Sequence, residues 1–470
     1  MNIKIKTQVL VIGSGPGGYS AAFRCADLGL ETIILEQNKN LGGVCLNFGC
    51  IPSKSLLHIS KIIKDSYSIK NSGIFFKQPK INLKELRNWK NNIINKITKN
   101  LKYMAKIRNV KIIRGYGKFI GSNNILINNN ECLQNIKFEK AIIAAGSSPI
   151  KPINIPNDNR IWNSTDALEL RCIPKNMLII GGGIIGLEIA SIYNSLGSKI
   201  DLIEKFDQII PSADTDIIKY FTSIFKSKIN IMVNTEIKYV KPRKDGIYVK
   251  FFKKNKLINK FRYDNIVIAI GRLPNGNFLD ASNAGLHVNN KGFIPVDKKM
   301  RTNVPNIYAI GDIIGQPMLA HKSSYQGRLV AEIIIGKKHY FETKIIPFIA
   351  YTDPEIAWVG LTEKEAIKKN IKYKVSIFPW SASGRAIACN CTEGFTKLIF
   401  NKVNDVLIGG AIIGSNGGEL LGEISLAIEM GCNSEDISLT MHAHPTLYET
   451  VSLASEIYQG TIVDMINYKS

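Results

Sequence analysis

Gln8-Val9-Leu10-Val11-Ile12-Gly13-Ser14-Gly15-Pro16-Gly17-Gly18 decides the fold of this chain. A short apolar run bounded by glycines predicts a buried strand, Gln8 to Ile12, that breaks into a tight loop and then a helix, Tyr19 to Leu28. A second strand, Thr32 to Leu35, follows and ends in Glu36. In a strand–loop–helix of this kind Gly13 permits the turn, Gly15 lets a pyrophosphate approach the backbone, and Gly18 lets helix and strand pack closely. The helix N-terminus then faces the phosphates, and Glu36 can accept hydrogen bonds from a ribose. A lone GxGxxG is a weak signal, but one with strand, helix and terminal acid in register is strong.

The same unit recurs. Met177 to Ile180 runs into Gly181-Gly182-Gly183-Ile184-Ile185-Gly186, then a helix to Leu196 and a strand, Ile200 to Ile203, that ends in Glu204. Gly13 to Glu36 spans 36 − 13 = 23 positions, and Gly181 to Glu204 spans 204 − 181 = 23. Chance does not supply one internal spacing twice, so the chain is read as α/β with two Rossmann-like dinucleotide-binding domains. The acid closing the second strand favours a free ribose 2′-hydroxyl, hence NAD over NADP. Lys205 beside it works against that preference, since a cation could meet a 2′-phosphate.

Just past the first unit, Gly42 to Lys54 holds Cys45 and Cys50. Five helical steps cover at least ~7.5 Å, and a disulfide needs Cα atoms within roughly 6.8 Å. Pairing would therefore require the backbone to leave the ideal helix, and Gly49 is where it can. So short a loop gains little stability from closure, which suits a bond made and broken rather than a staple. Spacing alone leaves a redox pair and two independent buried thiols equally open.

Composition narrows the class. A chain of 470 residues exceeds a single core and should form about three domains. Lys+Arg 61 against Asp+Glu 38 gives +23, yet the lysines are scattered. Their densest stretch, Lys241 to Arg262, interleaves them with Tyr248, Val249, Phe251 and Phe252 as strands do, so no nucleic-acid partner is expected. The best apolar run, Met177 to Ala190, contains four glycines and Glu188, so no membrane span is expected. Met1 to Thr7 leads straight into a strand without a leader pattern, and eight mostly solitary cysteines suit a reducing cytoplasm.

The rest of the chain reads as follows. A long helix, Leu83 to Lys106, precedes strands at Val110–Ile113, Ile125–Ile127 and Ala141–Ala144, and Gly146-Ser147-Ser148-Pro149 marks a boundary. After the second unit come a meander, Gly246 to Ile270, then Gly271-Arg272, and a strand that ends at Gly311-Asp312. An aspartate there sits where open α/β sheets hold ligands, or else caps the following helix. From Pro347 the pattern changes to strands with long helices and no third fingerprint, ending in His442-Ala443-His444-Pro445-Thr446-Leu447-Tyr448-Glu449. The expected domains are 1–148, 149–274, a return segment 275–346, and an α+β domain 347–470. His442 and His444 lack a second ligand pair, so no metal is expected. Cys25, Cys132, Cys172, Cys389, Cys391 and Cys432 read as structural thiols.

Two fingerprints, a CxxxxC after the first, Gly311-Asp312 and a C-terminal His-Pro…Glu together resemble the FAD-dependent pyridine nucleotide-disulfide oxidoreductases. Within that family, Gly42–His58, Ala309–Lys322 and His442–Glu449 are similar to the dihydrolipoamide dehydrogenase branch, and the resemblance runs nearly the whole chain. It implies FAD in the first fold, NAD in the second, and a C-terminal dimerisation domain that makes a homodimer. It implies a redox disulfide in which Cys45 exchanges with substrate and Cys50 lies against the flavin, His444 as base in a cis His444-Pro445 turn, and Glu449 orienting it. Cofactor contacts are implied at Gly13, Gly15, Gly18, Glu36, Gly43, Cys45, Lys54, Gly117, Gly181, Gly182, Gly183, Ile184, Ile185, Gly186, Glu188, Glu204, Gly271, Arg272, Asp312 and Ala320. Lys54, four residues beyond Cys50, would project from the same helix face and pair with Glu188. The implied partners are the lipoyl domains and acyltransferase core of the pyruvate and 2-oxoglutarate dehydrogenase complexes, with a glycine-cleavage lipoyl carrier as a further one. Phe48, Ser148 and Gln326 depart from the family pattern without removing a catalytic group. A glutathione or mercuric reductase is the alternative. It is disfavoured by Glu204 and by a tail, Gly460 to Ser470, with no cysteine pair.

Overall fold

The computed structural model describes residues 3–128 and 133–466. Cys132 and positions 467–470 of the tail lie outside the described residues. The first unit is built on a seven-stranded sheet. Ile3–Ile12 pairs in parallel with Thr32–Glu36 on one side and Leu133–Ile143 on the other, and Thr32–Glu36 pairs with Lys111–Arg114. Val9, Leu10 and Val11 are fully buried, as expected where cores cover both faces of a parallel sheet.

Leu133–Ile143 is eleven residues, much longer than the expected Ala141–Ala144. Its first half, Leu133–Lys140, alternates polar and apolar side chains because only one face is covered there, and that pattern hid it. This half pairs antiparallel with Asn124–Asn128, while Ala141–Ile143 receives the distant Ile307–Ala309 in parallel. The return segment is thereby threaded into the first sheet.

The second unit carries a five-stranded parallel sheet in the order Asn230–Met232, Lys199–Ile203, Asn176–Ile180, Asn265–Ile268, Ile161–Asn163. The expected single meander is two things. Glu236–Arg243, Gly246–Lys253 and Lys256–Tyr263 form a separate antiparallel sheet, and Asn265–Ile268 belongs to the parallel one. Ile247, Val249, Phe251 and Tyr263 pack the small sheet onto Leu178, Ile203 and Ile266.

The C-terminal unit is an antiparallel sheet in the order Phe348–Ala350, Glu355–Gly360, Leu407–Gly414, Phe395–Asn401, Tyr373–Pro379. The helices Gly417–Met430 and Glu449–Gln459 lie on it. Lys397 is fully buried and donates to Asp214 at 3.3 Å and Asp216 at 2.7 Å in the second unit, and to Glu363 in its own. Among the described residues those acids are the one carboxylate cluster close enough to share a cation, and the Lys397 ammonium is that cation. No helix among the described residues is long and apolar enough to cross a membrane.

Candidate active site

The two fingerprints are superimposable in their logic. At Gly13 and Gly181 φ is +100° and +110°, and an added Cβ would lie 2.4 Å from the carbonyls of Ala144 and Ala269. At Gly18 and Gly186 it would lie 1.9 and 2.0 Å from the carbonyls of Gly13 and Gly181. Backbone therefore excludes any side chain at the first and last glycine of each loop. The middle glycines, Gly15 and Gly183, have nothing within 4 Å. Each faces an open cradle at a helix N-terminus, as close approach of a pyrophosphate requires. Gly43, at φ +58°, would bring a Cβ to 2.6 Å from Gly15, and so crowds the same loop.

Each closing acid is buried and held by its own loop. One Glu36 oxygen accepts from Ser14 N (3.0 Å) and Oγ (2.6 Å), the other from Asn38 N and Nδ2. Glu204 accepts from Gly182 N at 2.7 Å and Phe206 N at 3.0 Å. Lys205 is exposed and pairs with Glu236, away from that carboxylate. Ile184 opens the second helix, with Ile185 partly exposed beside it.

Cys45 lies on the short helix Gly43–Phe48 and Cys50 begins Cys50–Ser68. The helix breaks between them at Gly49, with φ −135° and ψ −100°. Both are free thiols here, and they act on each other. A hydrogen bond from Cys45, reinforced by the Lys54 ammonium, lowers the Cys50 pKa to about 7 against burial, while the same hydrogen bond and burial push Cys45 up. The pair therefore holds its negative charge on Cys50.

Lys54 Nζ donates to both oxygens of buried Glu188 at 2.9 Å and lies 4.6 Å over the Tyr351 ring. Burial works against the ammonium, but the Glu188 carboxylate outweighs it and holds the Lys54 pKa above its ordinary value. Tyr351 N in turn donates to Glu188 at 3.2 Å.

On the other side Arg272 Nε donates to Ser147 Oγ at 2.7 Å, and Ser147 Oγ donates to Asp312 Oδ2 at 2.6 Å. Burial holds the Arg272 pKa below its usual range, against the pull of Asp312 and Cys50. Asp312 sits in the turn Gly311–Ile314 and does not cap the next helix, whose cap position is Leu319. Ala320 opens that helix. Buried Gln326 accepts from Gly311 N at 2.9 Å to fix the turn, and its Nε2 has no partner. Gly117 and Gly271 complete the expected set. A Cβ on Gly117 would meet Leu35 at 2.4 Å, so this chain's own packing accounts for that glycine.

His444 stands apart from these groups. Its Nδ1 is 2.8 Å from Glu449 Oε1, Glu449 Oε2 accepts from Thr446 N at 2.6 Å, and the His444 side chain is 79% exposed. His444-Pro445 is cis. The groups that act most on the Cys45 thiol, Cys50, Lys54 and Asp312, all precede residue 347.

Two family models match the sequence. Pyridine nucleotide-disulphide oxidoreductase covers residues 7–327, and the dimerisation domain of the same family covers 346–455. The chain belongs to that family. It is an FAD-dependent oxidoreductase that uses NAD, and its C-terminal unit is a dimerisation domain, which supports a homodimer. It is 58% identical to a dihydrolipoyl dehydrogenase of Vibrio cholerae, over 100% of this chain and 99% of that protein. Against the protein of that name from Buchnera aphidicola of Acyrthosiphon pisum it is 55% identical at the same coverage. Among solved structures, the HOCl-induced flavoprotein disulfide reductase RclA of Escherichia coli is 25% identical, with a TM-score of 0.87 over 97% of this chain and 100% of that one. LpdA of Mycobacterium tuberculosis shares the fold, at TM-score 0.88 and 22% identity over 96% of this chain and 99% of that one.

Sequence reading missed Ser147 and Tyr351, which meet the site only through the fold. Neither has a motif, and the one available signal was that Ser147 falls in the boundary loop. Reading the lone cysteines as structural needs correction at two positions. Cys172 and Cys389 are exposed, so packing does not explain them. Cys25 is buried, and burial pushes its thiol up to about 12.

Proposed function

We propose that the chain is a dihydrolipoamide dehydrogenase, reoxidising protein-bound dihydrolipoamide through a Cys45–Cys50 disulfide. The observation that carries this is the pair of thiols set on either side of the helix break at Gly49, next to a Lys54 ammonium that Glu188 holds at 2.9 Å and that acts on both sulfurs. Bound FAD would supply a two-electron acceptor for the dithiol, and bound NAD a final hydride acceptor. The open cradles at Gly15 and Gly183, with Glu36 and Glu204, would hold the two dinucleotides. Lys54, Glu188, Ser147, Asp312 and Arg272 would line the flavin side.

Only a thiolate attacks a disulfide effectively, so a base is needed. Glu449 fixes Nδ1 of His444 and leaves Nε2 to take the substrate proton. The substrate thiolate attacks the Cys45 sulfur, the Cys45–Cys50 bond breaks, and Cys50 leaves as a thiolate facing Lys54. The second substrate thiol releases its proton to water, and its thiolate attacks the substrate sulfur bonded to Cys45, closing the substrate disulfide. Cys45 leaves and takes a proton from His444. A low-pKa leaving thiol departs faster, which suits Cys50 to the first departure. His444 of one copy serves the thiol pair of the second. The substrate thiols arrive on lipoyl domains of the pyruvate and 2-oxoglutarate dehydrogenase complexes, or on a glycine-cleavage carrier, in the cytoplasm.

Anaerobic addition of dihydrolipoamide to the yellow holoenzyme should raise a long-wavelength thiolate-to-flavin band and, with NAD, yield NADH. A holoenzyme that is reduced by NADPH and reoxidised by glutathione disulfide, but is not reduced by dihydrolipoamide, overturns the proposal.

A further inference from the structure

The geometry points to His442 as a standing imidazolium that positions and tunes His444, an inference that rests on the function proposed above. Its Nδ1 is 2.6 Å from the Thr440 carbonyl and its Nε2 is 2.6 Å from Glu423 Oε1. A carbonyl can only accept, so Nδ1 carries a proton. The second nitrogen then faces a carboxylate, and only the cation supplies two donors. The ring is 5% exposed against a Glu423 that reaches solvent at 33%, and it lies 5.1 Å from the Tyr448 ring. The Tyr448 hydroxyl accepts from Ala443 N at 2.8 Å. The residue between the two histidines is thus tied to the ring that His442 packs against.

The groups facing His442 are Glu423 from the helix Gly417–Met430 and Glu449 and Glu456 from Glu449–Gln459. Hydrogen bonding to Glu423, then Thr440 and the other acids, outweighs burial and holds its pKa above the usual range. Glu449 is also the carboxylate that holds His444. The two imidazoles share one anion. A cation at His442 offsets part of the Glu449 field that His444 feels.

His442→Gln keeps a polar side chain but cannot carry charge. In that variant, dihydrolipoamide oxidation should fall about tenfold, and its acid limb should move up by about half a pH unit as the uncompensated Glu449 raises His444. NADH-to-ferricyanide reduction, which bypasses His444, should be unchanged. His442→Lys should return the limb toward its original pH without restoring the full rate. Loss of rate with the limb unmoved would mean a packing role only and overturns the inference. Imidazole 15N spectra of the wild-type holoenzyme test it independently of turnover. With six histidines in the chain, a His442 signal that is cationic above pH 8 supports the inference and a neutral ring at pH 7 overturns it. Should the wild-type enzyme not oxidise dihydrolipoamide at all, the proposed function fails while the spectra still decide the state of His442.

Discussion

The first and second dinucleotide folds repeat the same close backbone approaches at their first and last glycines, 2.4 Å in both and 1.9 against 2.0 Å, yet their fingerprint helices do different work. Pro16–Asp27 is sealed by the return helix Ala320–Ile334. A Cβ on Gly327 would sit 2.4 Å from the Gly17 carbonyl, and one on Gly17 would sit 2.2 Å from Ser323 Oγ. Ile184–Ser195 instead faces the helix that begins at Cys50. Ser195 Oγ donates to Ser60 Oγ at 2.7 Å, and Glu188 reaches Lys54. One motif thus builds two cradles, but only the second fold lends a charged side chain to the chemistry of its neighbour. What a fingerprint helix meets on its outer face decides this, and the fingerprint does not encode it.

The strongest test of that division removes the chemistry the first fold keeps to itself. Cys45→Ser and Cys50→Ser should each cost dihydrolipoamide turnover ~10³-fold or more, since each deletes a covalent participant. They should differ in colour. Cys45→Ser leaves the flavin-side thiolate and a long-wavelength band, and Cys50→Ser does not. A band surviving only in Cys50→Ser reverses the assignment.

Next in size come the glycines. Gly18→Ala and Gly186→Ala each force a methyl against backbone at 1.9–2.0 Å, and overpacking of this sort costs about 1–3 kcal/mol or more. If the folds are separable, Gly18→Ala should yield protein poor in FAD. Gly186→Ala should remain yellow with its KM for NAD raised about tenfold or more. Absorbance at 450 nm and NAD titration read the two apart, and equal loss of FAD in both would show that the folds are not independent.

Those glycines were legible in the sequence because their constraint is local, with a turn and a helix–strand approach repeated 23 positions before an acid. The thirteen-residue stretch around Cys45 and Cys50 was legible for the same reason. Strand Ile307–Ala309 was legible as a strand but not as the parallel partner of Ala141–Ile143 in a sheet begun about 300 residues earlier, because pairing depends on which edge lies open. Ser147 and Tyr351 carried no pattern at all. One reaches Asp312 and Arg272 across the domain boundary, and the other donates its amide to Glu188 from just past the strand Phe348–Ala350 of the third unit. His442 carried no sequence signal of its partner: Glu423, on the helix Gly417–Met430, comes to 2.6 Å only through the fold.

Lys54 and Glu188 give a finer test, because they push Cys50 in opposite directions. The Cys50 thiolate is present above about 7 and lost as pH falls through it. Lys54→Met removes a cation and should move that loss to higher pH, by about one pH unit. Glu188→Gln removes an anion from the same surroundings and should move it to lower pH. Anaerobic pH titration of the thiolate band reads both, and shifts of the same sign would mean that Glu188 acts only by holding Lys54.

The smallest expected effect concerns the one place where the two closing acids differ. Glu36 is held by side-chain and backbone donors, Ser14 Oγ and Asn38 Nδ2 among them, whereas Glu204 is held by backbone N–H groups alone. A carboxylate held only by backbone keeps more of its lone pairs free for a ribose diol. Its charge also opposes a 2′-phosphate, so the second fold should select its dinucleotide more sharply than the first. Glu204→Gln keeps the shape but leaves one oxygen to serve both Gly182 N and Phe206 N. Losing a charge-assisted hydrogen bond costs about 1.5 kcal/mol, so the KM for NADH should rise roughly tenfold while that for NADPH falls. Stopped-flow reduction of the flavin by each nucleotide would measure it. If the wild-type enzyme already accepts NADPH as readily as NADH, Glu204 does not select the dinucleotide, and the difference between the folds lies in Glu188 alone.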